Sequence, residues 1–253
     1  MLKRAFDILA SGAGLLALSP LLLAVALWIK WDSAGPVFYR GKRAGRHGKP
    51  FYIFKFRSMV TNADQIGGPS TADGDTRITR SGHFIRRYKL DELPQLVSVL
   101  TGDMSLVGPR PEVYQKAEQF SEEERSTLEL RPGITDWASI WNSDEGAVLA
   151  GAPDPDEAYE MVLKPTKLEL QLYYLRTHSL WGDVRVIMCT LLRLLRRNGL
   201  PAELRDYPTF AELRCEVEEM IAGENPAGQT QTDSSGPTPL RTVDEAKEAG
   251  VSK

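Results

Sequence analysis

The sequence is poor in cysteine. Only Cys189 and Cys215 occur among its 253 residues, and neither has partners at the spacing of metal ligands. A zinc site and a disulfide framework are therefore not supported. We expect two reduced thiols that are buried or half-buried.

The sequence also has little net charge. Its 31 Lys and Arg residues nearly balance 34 Asp and Glu residues, for a formal charge of −3, so bulk charge predicts no nucleic-acid binding. The cations are concentrated in residues 1–60, where Asp7 and Asp32 are the only acids. A hydrophobic content of 42% and a charged content of 26% are typical of a folded chain rather than a disordered one.

One segment lacks charge altogether. Residues 8–29, ILASGAGLLALSPLLLAVALWI, are long enough to cross the hydrocarbon core of a membrane as a helix. A cleaved signal peptide is disfavoured, because the run is too long and is followed by Lys30-Trp31 rather than by a small-residue cleavage site. The pattern predicts a membrane anchor over residues 1–32.

Two features argue against an ordinary spanning helix. Pro20, preceded by Ser19, removes a backbone donor in mid-segment and is expected to bend the helix. Basic residues flank both ends, whereas the positive-inside rule places them on one side. We therefore predict a re-entrant helix bent at Ser19 and Pro20, with both ends on the cytoplasmic side.

The anchor also contains a relaxed dinucleotide-binding fingerprint, Gly12-Ala13-Gly14-Leu15-Leu16-Ala17, followed by Asp32 at about the spacing of a ribose-binding acid. That motif needs a strand, a tight turn and a soluble helix, and this helix would be apolar on all sides. Small residues packing within a membrane segment explain the glycines better. A Rossmann-type oxidoreductase stays as the weaker alternative.

The body of the chain predicts an α+β, helix-dominated fold, with a small catalytic domain over 33–200. Aromatic residues mixed with cations in its first part suit a membrane–water interface better than single-stranded nucleic acid. An apolar stripe with four arginines over 181–197 is typical of an interfacial amphipathic helix or of a helix packed on the domain. The predicted elements are a short β-hairpin (36–40 and 51–56), loops (61–80 and 142–158), a turn (131–135), helices (166–176, 181–197 and a C-terminal helix within 201–223) and a disordered tail (224–253).

Candidate catalytic residues lie in the segment 81–111. Asp91 and Glu92 are adjacent carboxylates at the start of a predicted helix that ends at Thr101-Gly102. Acids in a first helical turn are favoured by the helix dipole and by capping, so a structural role is a strong alternative. The cations just before them, and Arg110 held between two prolines, favour a site for an anionic ligand.

Four blocks of the sequence, in this order, resemble the small monotopic phosphoglycosyl transferases, the bacterial sugar transferases that initiate surface-glycan assembly. The resemblance covers residues 2 to about 197. The blocks are KRAFDILASGAGLLALSPLLLAVALWIK, DSAGPVFYRGKRAGRHGKPFYIFKFRSM, YKLDELPQLVSVLTGDMSLVGPRPE and LRPGIT.

The resemblance implies a reaction. Asp91 would attack the β-phosphate of a UDP-sugar, release UMP and form a covalent phosphosugar ester, from which polyprenyl (undecaprenyl) phosphate takes the phosphosugar. Glu92 would be tied to a Mg²⁺ ion. The predicted phosphate-binding residues are Arg86, Arg110, Lys55 and Arg57.

The resemblance also implies a setting. It predicts a monotopic protein of the bacterial cytoplasmic membrane with its site on the cytoplasmic face, membrane lipids as partners, no nucleic-acid partner and a possible homodimer. The chain departs from the commoner family pattern after RPGIT, where Asp136-Trp137-Ala138-Ser139-Ile140 replaces Gly-Trp-Ala-Gln-Val. Sugar and nucleotide contacts in that segment are therefore unassigned, and the identity of the sugar is not predicted.

Two further alternatives remain open. A catalytically silent membrane scaffold would use the same anchor and surface helices and would release no UMP from any nucleotide sugar. A peripheral binder of nucleic acid or anionic lipid would use the basic aromatic region, and its binding would fall steeply with salt.

Overall fold

The structure is a computed structural model that describes residues 1–196, 201 and 204–222. Residue 200, on one side of the predicted boundary at 200–201, and the predicted tail over 224–253 lie outside the described residues. The helices are α1 (Leu2–Asp32), α2 (Ala63–Ile66), α3 (Arg80–Arg87), α4 (Gln95–Thr101), α5 (Tyr114–Ala117), α6 (Glu122–Ser126), α7 (Trp137–Trp141), α8 (Glu145–Val148), α9 (Pro155–Ala158), α10 (Lys164–Thr177), α11 (Leu180–Arg196) and α12 (Phe210–Ile221). The strands are β1 (Phe38–Ala44), β2 (Pro50–Phe56), β3 (Ser105–Val107) and β4 (Gly133–Thr135), and short 3₁₀ turns include Leu90–Glu92. The helix-dominated α+β fold is confirmed.

The predicted hairpin is present and carries the first part of the domain. Strands β1 and β2 pair antiparallel, with Phe38 opposite Phe56 and Ala44 opposite Pro50. The ring of Phe38 stacks on those of Phe54 and Phe56, with centroids 4.5 and 5.3 Å apart. Such cross-strand aromatic pairs stabilise a two-stranded sheet that would otherwise be marginal.

A second, parallel pair joins β3 to β4, with Ser105 opposite Gly133. The turn predicted over 131–135 was therefore wrong for Gly133–Thr135. The two chains approach closely here, because a Cβ on Gly133 would lie 2.1 Å from the backbone nitrogen of Gly108. The pairing fixes the start of the Pro109-Arg110-Pro111 turn against the domain.

The main core lies between α7, α10, α11 and α12. Its buried side chains include Trp137, Leu170, Tyr174 and Val186. The loop predicted over 142–158 contains α8 and α9, which pack on this core through buried Val148 and Ala158 among others. Cys189 is half-buried as expected, whereas Cys215 on α12 is exposed.

Helix α1 is continuous through Pro20, and the hydroxyl of Ser19 donates to the carbonyl of Leu16 at 2.8 Å. It is long and apolar enough to cross a membrane, and few of the residues in its apolar part are buried. The dinucleotide fingerprint lies wholly inside this helix, without the strand and turn that the motif requires. The Rossmann-type alternative is therefore wrong.

Both ends of α1 contact the same domain. At the first end, Arg4 donates to the carbonyls of Val99 and Leu100 at the end of α4, and Lys3 pairs with buried Asp183 at 2.5 Å. At the other end, the carboxylate of Asp32 accepts from the backbone nitrogen of Ser81 at 2.9 Å. The exposed apolar middle of α1 thus lies between two anchored ends.

Candidate active site

A cleft of about 1360 Å³ runs between the hairpin, the turns at 90–92 and 109–111, and helices α7 and α10. One wall is formed by the α1 residues Phe6, Ala10, Gly14 and Leu18. Every residue predicted to catalyse or to bind phosphate lines this cleft: Lys55, Arg57, Arg86, Asp91, Glu92 and Arg110.

Local backbone geometry brings the two carboxylates into the cleft. Helix α3 begins at an N-cap where Thr79 accepts from the backbone nitrogen of Gly82. The chain then reverses at Lys89, which has a left-handed backbone with φ 54°. A non-glycine residue in this region is uncommon and costs on the order of 1 kcal/mol or more. The 3₁₀ turn Leu90–Glu92 follows this reversal directly.

Glu92 is held between two cations. Its Oε1 lies 2.8 Å from Lys55 Nζ and 2.5 Å from Arg110 Nη2, while its Oε2 has a 3.4 Å contact with Arg110 Nη1. Burial alone would raise the pKa of Glu92, but the charges of Arg110 and Lys55 hold it well below its ordinary value. Glu92 is therefore an anion at neutral pH, and it orients both cations.

Asp91 is buried and lacks a complete set of partners. The residue is 7% exposed, and its Oδ1 has no hydrogen-bond partner. Burial raises its pKa, and the nearby charges of Lys55 and Arg86 act against that rise. A desolvated carboxylate oxygen beside cations has the properties of an activated nucleophile.

The remaining predicted phosphate ligands differ in placement. Arg86 lies close enough to Asp91 for its charge to oppose the rise in the pKa of Asp91 that burial causes. Arg57 instead donates to the carbonyls of Ser33, Ala34 and Pro36, at 2.6–2.9 Å. Its guanidinium holds the segment after α1, so the structure gives it partners other than a phosphate.

Sequence reasoning missed a second ion pair in the cleft. Lys167 on α10 pairs with Glu145, which lies in the acidic segment left without a role. The ammonium group also lies 4.5 Å from the ring centroid of Tyr159. The sequence did contain an indication that Lys167 is buried, because Lys167, Leu170 and Tyr174 recur at helical spacing and lie on the buried face of α10.

Comparison with known proteins places the chain in a family. The profile of the bacterial sugar transferase family matches residues 1–197. The chain belongs to this family.

Several relatives of this chain carry names that describe a function. The UDP-N-acetylgalactosamine-undecaprenyl-phosphate N-acetylgalactosaminephosphotransferase of Aeromonas hydrophila is 41% identical over 201 residues, which cover 78% of this chain and 44% of the relative. The UDP-glucose:undecaprenyl-phosphate glucose-1-phosphate transferase of Escherichia coli K12 is 39% identical over 199 residues, covering 76% and 40%. The exopolysaccharide production protein PSS of Rhizobium leguminosarum bv. phaseoli is 40% identical over 206 residues, covering 78% and 97%. The chain thus spans less than half the length of the first two relatives.

The part of the chain that the structure describes offers few ligands for a metal ion. Among the described residues, no group of three or more His, Cys, Asp or Glu side chains could hold one. Mg²⁺ often binds through one or two carboxylates together with substrate phosphates. The carboxylates of Asp91 and Glu92 fit that donor set, since Asp91 Oδ1 is unpartnered and Glu92 Oε2 makes only the long contact with Arg110.

Proposed function

We propose that this sugar transferase moves sugar-1-phosphate from a UDP-sugar to polyprenyl phosphate, with release of UMP and through an aspartyl-phosphosugar intermediate. The observation that carries the proposal is a buried Asp91, whose Oδ1 has no hydrogen-bond partner, next to a Glu92 held by Lys55 and Arg110. The activities of the Aeromonas and Escherichia relatives agree with this reaction.

The first step forms a bond between an Asp91 carboxylate oxygen and the β-phosphorus of the donor. The bond from that phosphorus to the bridging oxygen breaks, and the bridging oxygen leaves with UMP. Arg110, Lys55 and Arg86 neutralise the charge that develops on the phosphoryl oxygens. In the second step, an oxygen of polyprenyl phosphate attacks the same phosphorus, and the carboxylate of Asp91 is released.

Mg²⁺ is part of the proposal. The ion would be held by Glu92 and Asp91 together with the donor diphosphate, and it would supply further neutralisation of phosphate charge. With Oε1 of Glu92 already paired to both cations, tight binding is expected only when the donor is present.

The position of α1 supports a membrane setting. An apolar wall of α1 lines the cleft, so a lipid phosphate could reach Asp91 without leaving the bilayer. Both ends of α1 are bound to one domain, which supports a re-entrant anchor. The basic residues that flank α1 would then place the cleft on the cytoplasmic side. Homodimerisation stays a prediction.

The experiment that tests the reaction is UMP release by detergent-purified protein with Mg²⁺, undecaprenyl phosphate and a panel of UDP-sugars. Release that depends on both the donor and the lipid phosphate supports the transferase. No release from any donor, by protein shown to be folded, favours the silent scaffold instead.

A further inference from the structure

Strand β3 leads directly into the turn that carries Arg110. Among the described residues, β3 pairs with another strand along one edge only. On that edge the backbone nitrogen of Ser105 donates to the carbonyl of Pro132 at 2.9 Å. The opposite edge presents backbone groups that also need partners, because buried amides and carbonyls are nearly always hydrogen-bonded in native proteins. The groups that bond to this second edge therefore help to fix the strand and the turn that follows it.

Two charged side chains of α1 occupy the second edge of β3. The carboxylate of Asp7 accepts from the backbone nitrogen of Leu106 at 3.1 Å and from the hydroxyl of Ser105 at 2.9 Å. The ammonium group of Lys3, one helical turn earlier, donates to the carbonyl of Val107 at 3.0 Å. Helix α1 is thereby bonded to each of the three residues of β3.

The bonds of Asp7 are buried and specific to β3. Asp7 is 2% exposed and Ser105 is 1% exposed. A carboxylate removed from water costs free energy unless hydrogen bonds compensate it, and β3 supplies those bonds. Arg4, three residues earlier, instead donates to carbonyls at the end of α4. Asp7 therefore holds α1 against β3 in particular, rather than against the domain in general.

The connection from β3 to Arg110 is short and stiff. Only Gly108 and Pro109 separate them, and a proline on each side of the arginine limits the backbone. The carbonyl of Pro109 accepts from the backbone nitrogen of Gly133 at 2.9 Å, so the turn has little freedom to correct a shift of the strand. A misplacement of about 1 Å in a site can lower a rate about 100-fold. The position of the Arg110 guanidinium should therefore depend on the bonds that hold β3.

We propose that Asp7 is a positioning residue for the transfer reaction: by binding the second edge of β3, it holds the turn that carries Arg110 in its phosphate-binding position. This inference rests on the proposed function, because the role of Arg110 as a phosphate ligand belongs to that function. Asp7 does not line the cleft, so it acts through Arg110 and not on the substrate. Helix α1 is then part of the catalytic machinery as well as the predicted membrane anchor.

The test measures kcat for UMP release by full-length, detergent-purified Asp7→Ala and Asp7→Asn proteins. Asp7→Ala removes both bonds to β3, so kcat should fall by about tenfold or more. Asp7→Asn keeps an oxygen that can accept from the Leu106 nitrogen, so it should restore most of the activity. Ser11→Ala is the matched control: Ser11 lies one turn further along α1, is fully buried, and its hydroxyl has no partner. Its removal should leave kcat unchanged.

A double-mutant cycle with Arg110→Lys separates positioning from a general structural role. If Asp7 acts through Arg110, Asp7→Ala should lower kcat by less than about threefold in the Arg110→Lys background. A general structural role would give the same factor in both backgrounds, and that result would overturn the inference. Ser105→Ala, which removes one of the two bonds, serves if Asp7→Ala does not fold. Its smaller loss should shrink in the same way, and an unchanged factor would again overturn the inference.

Hydrogen exchange of the Leu106 amide supplies a measurement that does not depend on activity. Exchange should be faster in Asp7→Ala than in the wild type, and unchanged in Ser11→Ala. Equal exchange in all three proteins would contradict the bond on which the inference depends.

The outcome for the wild type separates this inference from the proposed function. Absence of UMP release by the wild type overturns the transferase and the positioning role together, whatever the exchange result. Normal release by the wild type, with additive effects of Asp7→Ala and Arg110→Lys, overturns the positioning role alone.

Discussion

At the scale of a single residue, burial and the proposed chemistry favour opposite protonation states of Asp91. Its burial favours the neutral acid and raises the pKa, yet the proposed attack needs the carboxylate. Ionisation of a group with a raised pKa destabilises the folded state as pH rises through that pKa. The positive charges of Lys55 and Arg86 reduce this destabilisation. The destabilisation that remains is typical of a functional site.

Asp91→Asn tests the nucleophile. The substitution removes the attacking oxygen, so UMP release should fall to background, a loss of about 10³-fold or more. Because a buried charge is also removed, the thermal midpoint should be unchanged or higher. Activity and unfolding are measured on the same detergent preparation, with Asp103→Asn, an exposed acid, as the control. Turnover at the wild-type level would contradict the assignment.

The pH dependence of activity tests the charge states of Asp91 and Lys55. The pKa of Asp91 is raised by burial, so activity should be lost as pH falls through a value above 3.8. Burial lowers the pKa of Lys55 despite the charge of Glu92, so activity should also be lost as pH rises through a value below 10.5.

The profile of kcat/KM against pH should therefore be bell-shaped and narrower than the ordinary pKa values of the two groups would give. Lys55→Arg should move only the alkaline limb to higher pH, because the guanidinium stays charged. Lys49→Arg, at an exposed position, should leave both limbs in place. An alkaline limb that does not move in Lys55→Arg would exclude Lys55 as its source.

Single residues also mark the limits of prediction from sequence. Asp91, Glu92 and Arg110 could be selected because they occur in one short segment, and Lys55 is brought to them by the hairpin. Arg57 stays a predicted phosphate ligand. It lines the cleft, but β2 ends at Phe56 and the Arg57 guanidinium donates to carbonyls in the segment after α1. Helical spacing indicates that Lys167 is buried. Its pairing with Glu145 joins two segments that are distant in the chain, which no local pattern encodes.

At the scale of elements, the close approach of β3 and β4 positions the phosphate-binding turn. Glycine is required at this crossing, because a Cβ on Gly133 would meet the backbone nitrogen, oxygen and Cα of Gly108 at 2.1–2.7 Å. Rigid backbone cannot move aside as a flexible side chain could. The strand β4 and its parallel pairing were missed in the sequence, because β4 has only three residues and its partner β3 is distant in the chain.

Gly133→Ala should separate β3 from β4 and shift the turn that carries Arg110. We expect a loss of about 1–3 kcal/mol in the free energy of unfolding, accompanied by reduced UMP release. Thermal and denaturant unfolding in detergent would measure the first effect. Gly12→Ala is the control, since a Cβ there meets nothing within 4 Å. Equal stability of the two variants would contradict the packing argument.

At the scale of the whole molecule, the two anchored ends of α1 constrain its relation to a membrane. A straight helix of this length extends about 45 Å, enough to place its ends on opposite sides of a bilayer. Yet Arg4 and Asp32, near opposite ends, both bond to the domain that holds the cleft. The basic flanks and Pro20 predict a bent, re-entrant anchor, and that stays a prediction. The structure shows a helix that is continuous through Pro20 and bound to the domain at both ends, and these partners could come only from the folded structure.

The topology can be tested with single cysteines in a Cys189→Ser, Cys215→Ser background. Leu2→Cys reports the exposed N-terminal end of α1, and native Cys215, restored alone, reports the domain. For a re-entrant anchor, a membrane-impermeant maleimide should label neither site in intact cells and both after permeabilisation. Labelling of Leu2→Cys in intact cells, while Cys215 stays protected, would instead establish a spanning helix. The contacts of Arg4 and Lys3 with the domain could not then form in the membrane, and retained activity in that case would show that catalysis does not depend on them.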